Sequence, residues 1–166
     1  FSGRYCHIGF LVSGIFLQRV LKQFGKKDES VRKDYWYVLS ASIKYNGVFY
    51  EEFNKISKKY NYIDIYRHEF LYNNYNKFLL MYGYIIGSLG KKYSLFQLIK
   101  IFFKLCFNFI VYTSLKKKVE AFICSEYVGY GLNLIEPCDE DFEFSTPDSI
   151  ITCFSLKFII CYKNEN

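Results

Sequence analysis

Apolar and polar residues between 10 and 24 alternate with the 3.6-residue period of a helix. The apolar face consists of Leu17, Val20, Leu21 and Phe24. The opposite face is polar and carries Gln18, Arg19, Lys22, Gln23 and Lys26. Gly25 follows the last apolar residue and suits a left-handed C-terminal cap. The pattern therefore predicts an amphipathic helix with a basic face that ends at Gly25.

A second, shorter helix is predicted to begin at Ser30, which can cap its N-terminus. Its inward residues would be Val31, Tyr35, Val38 and Leu39, with Arg32 and Lys33 facing outward. The pattern then changes to alternation around Asn46-Gly47, a pair that favours the type I′ turn of a β-hairpin. The segment YIDIY at 62 to 66 indicates a further strand. The first third therefore reads as helix, helix, hairpin and strand.

Residues 67 to 115 are predicted to be mostly helical, and the stretch from 95 to 113 is strongly apolar. A polar stripe nevertheless runs along this stretch through Gln97, Lys100, Lys104 and Asn108. Lysines near the middle of a membrane span would be costly, so a helix buried in protein with one polar edge is favoured. A single membrane pass stays open as the alternative.

The last third has a different pattern, in which VEAFICSEY and GLNLIEP indicate strands. Residues 154 to 162 alternate between apolar and other side chains and predict a closing strand. An acidic loop from 136 to 148 contains both prolines. Three segments result: residues 1–66, a helical region 67–118 with an insertion, and strands in 119–166.

The composition also indicates the type of genome that encodes the protein and a class of partner. Eighteen Phe and seventeen Tyr stand against two Pro, which is the bias of AT-rich codons and indicates an organellar or otherwise AT-rich genome. The formal net charge of +6 is compatible with a polyanionic partner. The six cysteines contain no C-x-x-C pair, and only two histidines accompany them. Buried, reduced thiols are therefore expected rather than a zinc site.

Catalytic motifs are not apparent in this chain. There is no phosphate-binding glycine loop, no nucleophile elbow and no helical pair of metal-binding histidines. Cys6 and His7 offer a nucleophile beside a base, but neighbours in sequence rarely face each other in a fold. The sequence thus predicts no enzyme, no cofactor and no small-molecule substrate.

The segment FLQRVLKQFG (16–25), followed by SIKYNG (42–47), resembles the RNA-binding domain of the small-subunit ribosomal protein four family. The residues that match that family's slots are Leu17, Val20, Leu21, Gly25, Ile43, Asn46 and Gly47. YNYIDIYRHEF resembles the strand after the family's hairpin, and residues 131–164 resemble its closing section. A shorter stretch, IIGSLGKKYSLFQLI, is similar to a helix junction in ribosomal protein seven of the same subunit.

The resemblance implies an α+β fold with a domain of two helices and a hairpin, a helical insertion and C-terminal strands. It implies a structural constituent of the mitochondrial small ribosomal subunit, located in the matrix and bound to small-subunit rRNA and neighbouring ribosomal proteins. An accessory subunit of a respiratory membrane complex is the alternative, although a membrane contact is not expected. The RNA contacts would be Arg19, Lys22, Lys26, Lys27, Arg32, Lys33, Lys44, Asn46, Lys116, Lys117 and Lys118, with Gly47 shaping the hairpin.

Overall fold

The fold is α+β in the computed structural model, which describes residues 7–26, 28–69, 74–95, 99, 121–139 and 141–163. The strands are β1 (Phe10–Ser13), β2 (Trp36–Ser42), β3 (Gly47–Glu52), β4 (Tyr62–His68), β5 (Lys92–Tyr93), β6 (Ala121–Phe122) and β7 (Leu156–Lys163). The helices are α1 (Gly14–Gln23), α2 (Phe53–Ser57), α3 (Tyr75–Gly87), α4 (Cys124–Asn133) and α5 (Pro147–Cys153), with a 3₁₀ turn at Phe142–Phe144.

Two sheets organise these elements. The larger has five strands in the order β1-β2-β3-β5-β6, with antiparallel neighbours except for the parallel pair β5–β6. The smaller sheet is the antiparallel pair β4–β7, whose register shifts between Ile65 and Tyr66. Helix α4 contacts β2, α3 and α5, so it lies at the centre of the fold.

Helix α1 confirms the first prediction from Gly14 onward, whereas residues 10–13 form strand β1 and Phe24, which was expected on the apolar face, is half exposed. Ser13 caps its N-terminus by accepting the Phe16 amide at 3.4 Å. At its C-terminus Gly25 has φ +68°, and the amide of Lys26 donates to Leu21 O at 2.8 Å. This is the Schellman arrangement that a left-handed glycine permits. Leu17, Val20 and Leu21 are buried, as the period required.

The predicted second helix is wrong, because the chain from Trp36 to Ser42 forms strand β2 instead. Its inward apolar residues fit a helical spacing only by coincidence. As the strand between β1 and β3, this segment hydrogen-bonds on both sides and buries Leu39 and Ala41 completely. Pairing with two neighbours outweighs the weak local preference for a helix. The described chain therefore lacks the second helix that the ribosomal resemblance implies.

The predicted hairpin at Asn46-Gly47 is confirmed, but its turn differs from type I′. Asn46 alone adopts the left-handed region there, with φ 50°, and the loop spans residues 43–46. Gly47 has another reason to be glycine: a Cβ at this position would collide with the carbonyl oxygen of Lys91. The close approach of the chain beside β5 thus requires a residue without a side chain.

The prediction of strands in VEAFICSEY and GLNLIEP is also wrong, except for the two residues of β6. Helix α4 runs through both segments, and its buried residues are Ser125, Glu126, Tyr127, Val128, Gly129, Gly131 and Leu132. A helix buried on nearly every side has no amphipathic pattern from which to recognise it. The closing strand is confirmed as β7, although it begins only after α5, which Thr146 caps.

The expectation of reduced thiols throughout is wrong for one pair. Cys138 and Cys153 form a disulfide with Cα atoms 6.7 Å apart, which joins the acidic loop to the end of α5. Cys124 and Cys161 are thiols, and both are partly buried. The disulfide closes a loop of 15 residues, for which chain-entropy arguments give about 3 kcal/mol of stabilisation.

None of the helices in the described part of the chain is long and apolar enough to cross a membrane. Of the apolar stretch 95–113, only Leu95 and Ile99 belong to the described residues, so the predicted helix there lies outside them. Helix α3 accounts for part of the predicted helical region 67–118, while Tyr62–His68 is strand β4.

Candidate functional site

The residues predicted to contact RNA fall into two groups that the fold keeps apart. Arg19 and Lys22 are exposed on α1. The segment that carries Arg32 and Lys33 packs against this helix, because the Gly14 amide donates to Tyr35 O at 2.7 Å. The side-chain amide of Gln18 also donates to Val31 O. The four cations therefore lie on adjoining elements, and the guanidinium of Arg32 sits 3.2 Å from Asp34.

The hairpin turn forms the second group, with Lys44 and Asn46. It lies at the opposite end of β2, and the seven residues of this strand span about 20 Å. The ammonium of Lys44 is 3.5 Å from Glu51 and lies 4.6 Å from the centre of the Tyr45 ring. Lys26 reaches the carbonyl oxygen of Leu89 at 3.5 Å. Lys27, Lys116, Lys117 and Lys118 lie outside the described residues.

A cavity of about 450 Å³ lies between the β1 side of the larger sheet, strand β4 and helices α3 and α4. Most of its lining side chains are aliphatic or aromatic. His7 is one of its polar residues, and residues 7–12 all contribute to one wall. Such a concave, largely apolar space with a few polar groups is the usual form of a small-molecule site.

The imidazole of His7 is held in one orientation. Its Nε2 lies 3.0 Å from Ser40 Oγ, within hydrogen-bond distance, and its ring is parallel to that of Tyr60 with centroids 6.3 Å apart. Burial lowers the pKa of His7 below its ordinary value. The side chain is therefore neutral at pH 7 and can accept a proton.

Cys124 is the first residue of α4, and its thiol is partly buried. Exposed amide groups at a helix N-terminus carry partial positive charge, which in general favours the thiolate form of a cysteine placed there. The carboxylate of Glu126, only 5% exposed, accepts the Ile123 amide at 3.4 Å and fixes this first turn. Burial, and to a smaller extent Cys124, raise the pKa of Tyr93 to about 12.

The strand order places His7 and Cys124 on opposite sides of the larger sheet. Ser42 pairs with Gly47, Gly47 with Lys92, and Lys92 with Ala121, which makes one row across four strands. Strand β1, which follows His7, is one outer strand of the sheet, and β6, which precedes Cys124, is the other. Four spacings of about 4.8 Å between neighbouring strands separate the two outer strands, so the imidazole and the thiol belong to different parts of the fold.

Helix α4 connects this end of the sheet with the cavity. From Cys124 it crosses towards β1, where the ring of Tyr127 meets that of Phe10 with centroids 5.6 Å apart. Val128 and Leu132 line the cavity. Residues four apart share one face of a helix, so the stripe through Leu132 and Val128 continues to Cys124. The thiol therefore stands at the helix end of a stripe that borders the cavity.

The second histidine, His68, belongs to a group of contacts that holds three parts of the fold together. His68 Nε2 lies 3.0 Å from a carboxylate oxygen of Glu136. The same carboxylate accepts the amide of Ser155 at 2.9 Å and its hydroxyl at 2.8 Å. Burial lowers the pKa of His68, although Glu136 acts in the opposite direction. These contacts connect β4, the chain after α4 and the start of β7.

Sequence reasoning weighed His7 beside Cys6 and set this pair aside, and it did not single out Cys124 at the start of α4. The available signal was local: a cysteine, followed two residues later by a glutamate, in a segment that could begin a helix. No family model, no curated protein and no solved structure matches this chain.

Proposed function

We propose that the chain is a constituent of the mitochondrial small ribosomal subunit that binds structured RNA, with rRNA and neighbouring ribosomal proteins as partners. The observation that carries this proposal is the exposed group of Arg19, Lys22, Arg32 and Lys33 on α1 and the adjoining segment. Cations on neighbouring elements can follow a phosphate backbone. The helix–helix–hairpin order of the sequence resemblance is not formed in the described residues, so the proposal rests on this surface.

Charge reversal tests the proposal. If the chain binds structured RNA, the double variant Lys22→Glu and Arg32→Glu should lose at least about tenfold in affinity at 0.1 M salt. Lys58→Glu, on an exposed lysine elsewhere, should change the affinity for RNA little.

In organellar lysate the native protein should sediment with the small ribosomal subunit and leave it after ribonuclease treatment. Sedimentation with a detergent-solubilised respiratory complex, unaffected by ribonuclease, would instead support the membrane-complex alternative.

A further inference from the structure

Strand β7 has the side chains of a strand buried inside a sheet, although it lies at the surface. Phe158, Ile159, Ile160 and Tyr162 are large and apolar, yet each is between 43% and 54% exposed. An antiparallel strand at the surface normally has one apolar and one polar face. A continuous run of exposed apolar residues usually marks a surface that a partner covers.

The apolar residues lie on both faces of the ribbon that β4 and β7 form. Phe158 pairs with Tyr66, and Tyr162 pairs with Ile63. Successive residues of β4 point to opposite faces, and Tyr66 and Ile63 are three residues apart, so the two rings of β7 lie on opposite faces. The Phe158 ring meets that of Tyr66 with centroids 5.7 Å apart, and the Tyr162 ring meets that of Phe53 at 5.6 Å. Each ring thus has an aromatic neighbour within the chain and still offers surface to a partner.

The backbone of β7 can accept a further strand. Within the described residues β7 pairs with β4 alone, in a sheet of two strands. The outer edge of β7, residues 157–163, therefore directs backbone N–H and C=O groups away from β4. Such an edge is a template for pairing with another chain. An added strand would gain backbone hydrogen bonds together with apolar contacts on both faces.

Positive charges flank the apolar run. Lys157 and Lys163 stand at its two ends, and both are exposed. Arg67 pairs with Lys157, so one end carries two cations on neighbouring strands. Neither lysine forms an ion pair with a side chain in the described part of the molecule. Carboxylates placed opposite the two lysines in an added strand would be attracted to them.

Two other occupants fit this edge less well. A second copy of the chain would align both apolar runs in an antiparallel register centred on Ile160. Lys157 of each copy would then lie opposite Lys163 of the other, and like charges directly opposite each other are destabilising. A lipid surface would leave the backbone groups of the outer edge without hydrogen-bond partners, which is costly in hydrocarbon.

We infer that the outer edge of β7 binds an extended segment of a partner protein, with apolar residues at its centre and a carboxylate at each end. The segment adds a third strand to the ribbon of β4 and β7. This site uses none of the cations assigned to RNA binding, so the inference goes beyond the proposed function and does not depend on it.

Fluorescence anisotropy of a labelled, C-terminally amidated peptide tests the inference on the full chain. In the peptide Glu-Val-Thr-Val-Thr-Val-Glu the two glutamates are six residues apart, as Lys157 and Lys163 are. We expect saturable binding of this peptide. The peptide Lys-Val-Thr-Val-Thr-Val-Lys should bind at least about tenfold more weakly, because two attractive pairs become two repulsive pairs. Proline in place of the central valine should abolish binding, since it cannot donate to the strand pairing.

Charge reversal on β7 should exchange the preference. The double variant Lys157→Glu and Lys163→Glu should bind the lysine-flanked peptide more tightly than the glutamate-flanked one. Lys58→Glu with Lys92→Glu is the matched control, because it changes the net charge by the same amount at two exposed lysines outside β7. This control should keep the preference of the wild type.

Several results would overturn the inference. These are the absence of saturable binding, equal affinity for the two flanked peptides, and an unchanged preference in the β7 double variant. A dimer in analytical ultracentrifugation that the glutamate-flanked peptide dissociates would assign the edge to a second copy instead. The variant Lys22→Glu and Arg32→Glu should bind the peptide as the wild type does. Failure to bind RNA therefore contradicts the proposed function alone, and failure to bind the peptide contradicts the strand site alone.

Discussion

Substituting Gly14 with alanine should reduce the free energy of unfolding by about 3 kcal/mol, the upper end of the usual range for overpacking. A Cβ at Gly14 would collide with the carbonyl oxygen of Arg32. The amide of Gly14 is at the same time bound to Tyr35 O at 2.7 Å, so the two chain segments cannot separate without losing this hydrogen bond. Urea unfolding followed by circular dichroism gives the free energy.

Gly83→Ala is the comparison for this measurement. Gly83 lies inside α3 and is exposed, and a Cβ there would meet no atom within 4 Å. Alanine lowers the entropy of the unfolded chain and favours the helix, so a gain of about 0.5 to 1 kcal/mol is expected. If Gly14→Ala gained as much stability as Gly83→Ala, the close approach of the Arg32 carbonyl would not constrain position 14.

Elements whose signals are local could be predicted from the sequence. Helix α1 has an apolar face, a serine cap and a glycine stop within a dozen residues, and each acts on its own neighbours. The hairpin at Asn46 has similar signals. Strand β2 could not be recognised, because its pairing with β1 and β3 on either side makes this segment a strand. The spacing of its own apolar residues does not indicate this pairing.

The candidate site was predictable only in part. The basic face of α1 was placed correctly on the surface. How this face meets Arg32 and Lys33 depends on the hydrogen bond between Gly14 and Tyr35, which no spacing along the chain encodes. The disulfide between Cys138 and Cys153 likewise depends on how α5 returns to the acidic loop.

The row of pairs formed by Ser42, Gly47, Lys92 and Ala121 has a consequence for how the protein folds. Its members come from the first, the middle and the last third of the sequence, so this end of the sheet is completed only after the slowest, most distant contacts have formed. During synthesis β3 must wait for β5 and β6 before its pairing is complete. Folding intermediates should accordingly have a native-like α1 while this end of the sheet is still open.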